Sequence, residues 1–261
     1  MQNVRTVTVT RYVTPLREGG SLPAIVEADD DGMYVLKFRG AGQGPKALIA
    51  ELVAGEIARA AGLPVPEIVF VELDADLART EPDPEIQALI RASAGLNLAL
   101  DYLPGAVMFD PVAEQAQAEL ASSIVWLDAY LSNVDRTARN TNLLVWHRRL
   151  WLIDHGAALY FHHSPADFRD RSGDPFPQIK QHVLLPRARA LREADVRMSD
   201  CVVPETIHRI VSQIPDAWLE ESSTFGGRAQ QRAAYIAYLL SRLEPPRSFL
   251  EEAIRVPSVD V

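Results

Sequence analysis

The sequence predicts an α+β protein in which a strand-rich N-terminal lobe, residues 1–103, precedes a mainly helical C-terminal lobe, residues 104–261. Two patterns carry this prediction. β-branched and polar residues alternate near the N-terminus, which is typical of half-buried strands, whereas apolar residues beyond Pro104-Gly105 recur at helical spacing. The chain has 261 residues and is 48% hydrophobic, which is enough for a core in one large domain or two small ones.

Strands and one helix account for most of the N-terminal lobe. The expected elements are strands at 5–13, 22–26 and 33–38, a helix at 45–61, and strands at 67–73 and 96–103. The turn signal Asp-Asp-Asp-Gly at 29–32 makes the first three strands antiparallel neighbours. Pro45 suits the first position of a helix, and Gly62 suits the residue after its end. Residues 74–95 are acidic and contain prolines, so we expect a surface segment with a short helix.

The C-terminal lobe is expected to begin with a long helix. The expected elements are an amphipathic helix at 111–131, a polar loop at 132–141, strands at 143–146 and 150–153, and mostly helix from about 186 onward. The adjacent histidines His162 and His163 are not expected to form a metal pair, because neighbouring side chains of a strand point to opposite faces. An exposed loop is the expectation there.

Charge and composition exclude several classes of protein. The formal net charge of -9 argues against general nucleic-acid binding and against docking on an anionic membrane. The single cysteine, Cys201, excludes an intramolecular disulfide framework. No signal peptide precedes the first strand, and no apolar run approaches the roughly 20 residues of a membrane helix. We therefore expect a cytoplasmic protein without a membrane partner.

Two aspartates and an asparagine mark the ends of a short hairpin in the C-terminal lobe. Asp135 and Asn140 lie in the polar loop, five positions apart, and Asp154 follows the second strand in Asp154-His155-Gly156. Phosphoryl transfer requires a carboxylate that orients or deprotonates a hydroxyl, together with oxygen ligands for Mg²⁺. The spacing from Asp135 to Asn140 is that of the kinase catalytic loop, and Asp154-His155-Gly156 has the form of the metal-binding D-F-G tripeptide.

Lys37 is one of only three lysines among 26 basic residues, and it lies in the otherwise apolar strand 33–38. An unpaired ammonium would be costly to bury there, so a carboxylate partner and an anionic ligand are expected. Glu51 and Glu56 of the following helix are both candidates. Periodicity places Glu56 within the apolar stripe and Glu51 near its edge, and the pattern leaves the choice open.

These motifs together resemble those of the HipA-like kinases. The resemblance covers roughly residues 10–160, and its second half is also similar to the phosphatidylinositol kinases. It is carried by Tyr-Val-Leu-Lys37, the helix from Glu51 to Gly62-Leu-Pro-Val-Pro66, Asn133-Val-Asp135-Arg136 with Asn140, and Ile-Asp154-His-Gly156. The joint occurrence of four motifs in this order is specific, although no single motif is. The resemblance implies a bilobal protein-kinase-like fold with ATP and Mg²⁺ between the lobes.

The resemblance also implies a role for each matching residue. Lys37 would contact the α- and β-phosphates, and Glu51, which the family favours over Glu56, would hold Lys37. Asp135 would be the catalytic base, and Asn140 and Asp154 would bind metal. Asp101, Tyr102 and Leu103 would form the hinge beside adenine. The turn Gly19-Gly20-Ser21 would cover the phosphates; Ser21 either supports this tight turn, which is the simpler interpretation, or is a phosphorylation site.

Three functions remain to be distinguished at this point. The favoured one is transfer of the γ-phosphoryl group to a hydroxyl, with a protein Ser/Thr favoured over a small molecule as acceptor. A pseudokinase that binds nucleotide and regulates a partner is the alternative from a different class. A phosphate loop at Gly40–Lys46 is disfavoured, because Pro45 occupies a position that needs glycine and Ala47 replaces the Mg²⁺-binding hydroxyl.

Overall fold

The computed structural model describes residues 3–16, 22–42, 44–163, 168–220 and 226–255 of the chain. Its strands are β1 (Thr6–Pro15), β2 (Ala24–Ala28), β3 (Met33–Lys37), β4 (Ile68–Leu73), β5 (Gly95–Asp101), β6 (Val107–Met108), β7 (Leu143–Trp146) and β8 (Arg149–Leu152). Its helices are α1 (Pro45–Ala60), α2 (Pro84–Ala92), α3 (Ala118–Leu131), α4 (Phe168–Arg171), α5 (Leu191–Cys201), α6 (Pro204–Ser212), α7 (Arg228–Leu243) and α8 (Ser248–Arg255). The strand-rich first part and the helical second part confirm the α+β prediction.

The first five strands close into a barrel in the order β1-β2-β3-β5-β4. Antiparallel pairs join β1 to β2 and β2 to β3, as the sequence pattern predicts, although β2 begins two residues later than expected. The barrel closes where β1 runs parallel to β4, with Thr6 opposite Phe70. Lys37, at the C-terminal end of β3, lies opposite Leu98 of β5, whereas Tyr34, near the start of β3, lies opposite Asp101, where the chain leaves the barrel.

Helix α1 joins the barrel to the helical part of the molecule. Pro45 begins it, at a position where a missing N–H costs no hydrogen bond, and Gly62 follows its end with a φ of +76°. Residues 48–58 are all buried, because α1 packs against β4 and β5 on one side and α6 on another. Helix α1 therefore shares an apolar core with the C-terminal helices, while a second core fills the barrel.

A three-stranded sheet, β6-β7-β8, and helix α3 follow the barrel. The prediction of one helix over 111–131 is wrong at its start, because α3 begins at Ala118 and residues 111–117 form turns and irregular backbone. These seven residues have good helix propensity, but they are almost entirely exposed. A short helix in water needs a buried face, and this segment has none.

Helix α3 is the centre of the C-terminal core. Trp126 and Tyr130 stack with ring centroids 5.1 Å apart, and Phe249 of α8 packs against both rings. Residues 121–131 are all buried, including Asp128. Within the described ranges, no helix combines the length and the apolar character needed to cross a bilayer.

Candidate active site

A cleft of about 780 Å³ lies where the barrel meets the C-terminal part. The barrel contributes Val35 and Lys37 of β3, and the chain leaving β5 contributes Asp101-Tyr102-Leu103. The C-terminal part contributes Asn140, Asn142, Leu144, Ile153 and Asp154. Residues that lie more than a hundred positions apart in the sequence thus face one cavity, and its size is typical of a small-molecule site.

Lys37 is the cation of this cleft and contacts two carboxylates. Its Nζ lies 2.8 Å from Oε2 of Glu51 and 2.5 Å from Oδ1 of Asp154. Glu51 is completely buried, whereas the Asp154 side chain is 44% exposed. The same ammonium therefore connects a carboxylate fixed in the core to one that is open to the cleft.

Charges and hydrogen bonds set the ionisation of this group. Burial alone would raise the pKa of Glu51, but Lys37 and the hydrogen bonds from His155 hold that pKa well below its usual range. Burial would also lower the pKa of Lys37, but the negative charges of Glu51 and Asp154 raise it above its ordinary value. At neutral pH Lys37 is therefore an ammonium and Glu51 an ionised carboxylate.

Glu56, the other candidate partner of Lys37, lies elsewhere. Its Oε1 is 3.5 Å from Nε of Arg59, one helical turn further along α1. Burial raises the pKa of Glu56, with Arg59 opposing that effect. The structure pairs Lys37 with Glu51, whereas the salt bridge of Glu56 is with Arg59.

The backbone of Asp154 has an uncommon conformation. Its φ is +54°, in the left-handed region that few residues other than glycine adopt. Aspartate tolerates this region better than most residues, and such conformations concentrate at functional sites. The turn ends β8 and directs the Asp154 carboxylate towards Lys37 and the cleft.

Two asparagine amides orient Asp135 in the polar loop. Nδ2 of Asn140 donates to Oδ2 of Asp135 at 2.8 Å, and Nδ2 of Asn142 lies 3.3 Å from the same oxygen. Among the described residues, none donates a hydrogen bond to Oδ1 of Asp135, so this oxygen is available to a ligand. The amide oxygens of both asparagines are turned away from Asp135, because their nitrogens make these contacts.

A buried group of polar and charged residues, here called the loop anchor, holds this loop on the side away from the cleft. It consists of Asp128, Asn133, Arg136 and His182. Asp128 accepts hydrogen bonds from Nδ2 of Asn133 at 2.9 Å, Nε of Arg136 at 2.6 Å and Nε2 of His182 at 2.9 Å. Arg136 in turn donates to the backbone carbonyls of Asn142 and Ile153. The loop anchor thereby ties the Asp135 loop to α3 and to the strand end that precedes Asp154.

The charges of the loop anchor are compensated inside the core. Burial alone would raise the pKa of Asp128, but Arg136 and His182 hold it well below its usual range. Burial lowers the pKa of His182, although Asp128 opposes this. Nδ1 of His182 accepts the N–H of Leu184, so Nε2 carries the hydrogen that points at Asp128.

Sequence reasoning did not assign roles to Asp128, His155, His182 or Asn142. One signal for Asp128 was present, since a carboxylate in the otherwise mostly apolar stretch 124–131 of α3 must have buried partners. The partners themselves lie 54 positions away for His182 and 104 positions away for the Glu51–His155 pair. Periodicity carries no information about contacts at such separations.

The other residues for which the sequence predicts a site or an exposed loop differ in where they lie. Gly19, Gly20 and Ser21 lie outside the described residues. Asp101, Tyr102 and Leu103 line the cleft, and their role as a hinge stays a prediction. Lys46 is not among the described residues that line the cleft. The expectation of an exposed loop at 162–163 is wrong, because His162 is fully buried in a 3₁₀ turn and its Nε2 lies 3.1 Å from Nε2 of His163.

The donor set of the cleft fits a hard divalent cation such as Mg²⁺. Asp154 supplies a carboxylate that is partly exposed, and Asn140 has an amide oxygen that its contact with Asp135 leaves available. No group of three His, Cys, Asp or Glu side chains that could hold a metal occurs in the described part of the chain. Mg²⁺ suits such a site, because it typically uses one or two protein carboxylates and takes its other ligands from phosphates and water.

Comparison with known proteins identifies the family and the fold. A model of the HipA-like kinase family matches residues 9–251. The chain is similar to CtkA, a proinflammatory kinase of Helicobacter pylori, at 13% identity and a TM-score of 0.59, over 97% of this chain and 99% of that one. It is also similar to a Golgi casein kinase with Mn and ADP bound, at 12% identity and a TM-score of 0.51, over 99% of this chain and 75% of that one. A search of curated proteins gave no match. The structural matches confirm the protein-kinase-like fold.

Proposed function

The chain belongs to the HipA-like kinase family, and from this premise we propose that it transfers the γ-phosphoryl group of ATP, bound with Mg²⁺, to a hydroxyl group. The convergence of Lys37, Asp154, Asn140 and the Asp101–Leu103 segment on one cleft carries this proposal. Family membership makes the chain a kinase; the nucleotide, the metal and the residue roles are the proposed part. In this proposal residues 1–103 and 104–261 are the two lobes that hold the nucleotide between them.

Each side chain of the cleft has a role that follows from its position. Lys37 donates to phosphate oxygens, and Glu51 keeps its ammonium in place at 2.8 Å. Mg²⁺, when bound, would supply positive charge that stabilises the negative charge developing during phosphoryl transfer. Asn140 and Asp154 would hold the metal, and Asp135 accepts the proton of the acceptor hydroxyl at the oxygen that the asparagines leave available.

Two further observations support a nucleotide with a divalent cation. The Asp101–Leu103 segment places backbone groups at the edge of the cleft opposite Lys37, where a hinge would contact adenine. The Golgi casein kinase with the same fold has Mn and ADP bound. The acceptor that we propose is a serine or threonine of a protein, on the strength of the family resemblance.

Calorimetric titration of ATP, with and without Mg²⁺, tests the proposal. We expect Mg²⁺-dependent binding that is weakened at least tenfold by Lys37→Met and by Asp154→Asn, because each removes a charge that contacts phosphate or metal. Lys180→Met is the matched control, since Lys180 pairs with Glu252 on the surface and does not line the cleft. Binding that survives Lys37→Met but is lost in Lys46→Ala would contradict the proposal and favour the loop at 40–46.

A phosphorylation assay separates the kinase from a pseudokinase. Radiolabelled ATP and dephosphorylated casein serve as generic donor and acceptor, with ATP hydrolysis measured in parallel. Transfer or hydrolysis that depends on Asp135 supports the enzyme. Mg²⁺-dependent binding of ATP, with neither reaction above the background of Asp135→Asn, would leave a nucleotide-binding regulatory module.

A further inference from the structure

His155, the middle residue of Asp154-His155-Gly156, is fully buried beside α1. Packing alone would be served by any apolar side chain of similar size, and an apolar residue would avoid the cost of burying an imidazole. The ring instead faces a carboxylate, with Nδ1 3.2 Å from Oε1 of Glu51. A polar contact between these two residues is therefore a specific feature of the site.

The contacts of Glu51 show what this feature does. The Glu51 carboxylate accepts three hydrogen bonds from described residues, and only one of them comes from Lys37. The other two come from His155, whose backbone N–H donates to Oε2 at 2.7 Å and whose ring contacts Oε1. Both oxygens are thus held from the Asp154 side of the cleft, and the carboxylate is not free to rotate away from Lys37.

We propose that His155 is a positioning residue for phosphoryl transfer, which fixes the Glu51 carboxylate so that Lys37 stays aligned with Asp154 and the phosphates. The inference rests on the function proposed above and extends it to a residue that touches neither nucleotide nor metal. This role would couple the position of α1 to that of the Asp154 turn, because His155 is hydrogen-bonded to Glu51 of α1 and directly follows Asp154 in the chain.

The chemistry of the contact agrees with this role. An ionised carboxylate only accepts hydrogen bonds, so the hydrogen of the contact must lie on Nδ1 of His155. Gly55, one turn after Glu51, lies beside the contact: a Cβ there would be 3.9 Å from Nδ1 of His155, an ordinary van der Waals distance, and 2.4 Å from Cδ1 of Ile68, whose side chain would have to shift.

Two substitutions separate hydrogen bonding from packing. His155→Phe keeps a ring but removes the donor, and His155→Asn keeps a donor near the position of Nδ1 in a smaller side chain. We expect His155→Phe to lower the turnover of ATP about 10- to 100-fold, the effect of losing a hydrogen bond to a charged group, and His155→Asn to recover most of it. His162→Phe is the control, since His162 is also fully buried and hydrogen-bonded, to Tyr235; its turnover should stay near that of the wild type.

A double-mutant cycle tests whether His155 acts through Glu51. In a Glu51→Gln background, His155→Phe should cause little further loss of turnover, because the carboxylate that it positions is already absent. Equal fold-losses in both backgrounds would overturn the inference, as would wild-type turnover in His155→Phe. A turnover of His155→Asn no higher than that of His155→Phe would also overturn it, because the His155 ring would then act by packing and not by its hydrogen bond.

The wild-type protein provides a readout that does not depend on the folding of any variant. Nitrogen NMR of the histidine side chains should show the hydrogen of His155 on Nδ1 in the ATP complex, and hydrogen only on Nε2 would overturn the inference. The outcomes also separate the two proposals. A wild type that neither binds Mg²⁺-ATP nor hydrolyses it overturns the proposed function and this inference together, whereas an active wild type with an indifferent His155 overturns the inference alone.

Discussion

Two buried carboxylates in this molecule have nearly the same chemical surroundings, but the cation paired with one of them lines the cleft and the cation paired with the other does not. Glu51 is paired with Lys37 and contacts His155, and Asp128 is paired with Arg136 and contacts His182. Both carboxylates are completely buried and have pKa values held below the usual range. The cation of the Glu51 group lines the cleft and contacts a second, exposed carboxylate, whereas the Asp128–Arg136 pair is closed on all sides.

The same combination of a carboxylate, a cation and a histidine thus serves a structural purpose in one group and a ligand-binding purpose in the other. The Asp128–Arg136 pair, here called the closed pair, fixes the backbone. Arg136 donates hydrogen bonds to carbonyls on both sides of the β7–β8 hairpin. In the Glu51–Lys37 pair, here called the open pair, the ammonium of Lys37 faces the cleft and can contact a ligand. Two carboxylates, those of Glu51 and Asp154, hold it in place. We therefore expect changes in the Glu51 group to alter activity first, and changes in the loop anchor to alter stability first.

The largest effect on turnover is expected for substitution of Asp135. Asp135 lies in the loop that the loop anchor holds, but it is not itself part of the loop anchor. Asp135→Asn should lower turnover by roughly 10²- to 10⁴-fold, the usual span for a general base, and leave ATP affinity and the free energy of unfolding nearly unchanged. Asp154→Asn should lower Mg²⁺ affinity as well as turnover, because a metal ligand loses its charge. Parallel calorimetry, kinetics and urea denaturation check both variants. A loss of ATP binding in Asp135→Asn equal to that in Asp154→Asn would place Asp135 on the metal instead.

Asp128→Asn and Glu51→Gln test most directly whether the closed pair contributes more to stability than the open pair does. Asp128→Asn should lower the free energy of unfolding by about 3–5 kcal/mol, because it leaves Arg136 buried without a carboxylate. Glu51→Gln should cost less, about 1–3 kcal/mol, because Lys37 keeps its contact with Asp154 at 2.5 Å. Urea denaturation at pH 7 measures both values. A greater loss for Glu51→Gln would contradict the distinction between open and closed groups.

Local features of the fold and site were predictable from the sequence, and long-range contacts were not. Turn residues and alternation predict β1 to β3, and Pro45 with Gly62 bounds α1. The closure of the barrel by β1 and β4 depends on pairing that no short pattern encodes. The same holds for the site: scarcity of lysine marks Lys37 and loop spacing marks Asp135, but the periodicity of α1 could not choose between Glu51 and Glu56.

Acid should reduce the difference between the wild type and the two carboxylate variants. The folded-state pKa values of Asp128 and Glu51 are lowered, so each contributes stability above the pKa of about 4 in the unfolded chain and loses it as the pH falls towards the folded-state value. Asp128→Asn and Glu51→Gln cannot lose that contribution. The gap in free energy of unfolding between each variant and the wild type should thus be widest near pH 7 and narrow below about pH 4. A gap of constant size between pH 7 and pH 3 would contradict the ionised state of both groups.

The smallest effect is expected for Glu56→Gln, which sharpens the choice of Glu51 as the partner of Lys37. Glu56 is buried and its pKa is raised by that burial; in the described part of the chain Arg59, at 3.5 Å, is a salt-bridge partner. A carboxylate with a raised pKa in the folded state costs stability above its unfolded pKa and costs nothing below it. Glu56→Gln removes that cost and loses the Arg59 pair, so the free energy of unfolding at pH 7 should change by less than about 1 kcal/mol, and the change should vanish below about pH 4. Turnover of ATP should equal that of the wild type, because the salt bridge of Glu56 is with Arg59, whereas Lys37 pairs with Glu51. A loss of turnover comparable to that of Glu51→Gln would mean that α1 rotates when nucleotide binds and presents Glu56 to Lys37, and the contrast between an open and a closed carboxylate would then describe only the nucleotide-free protein.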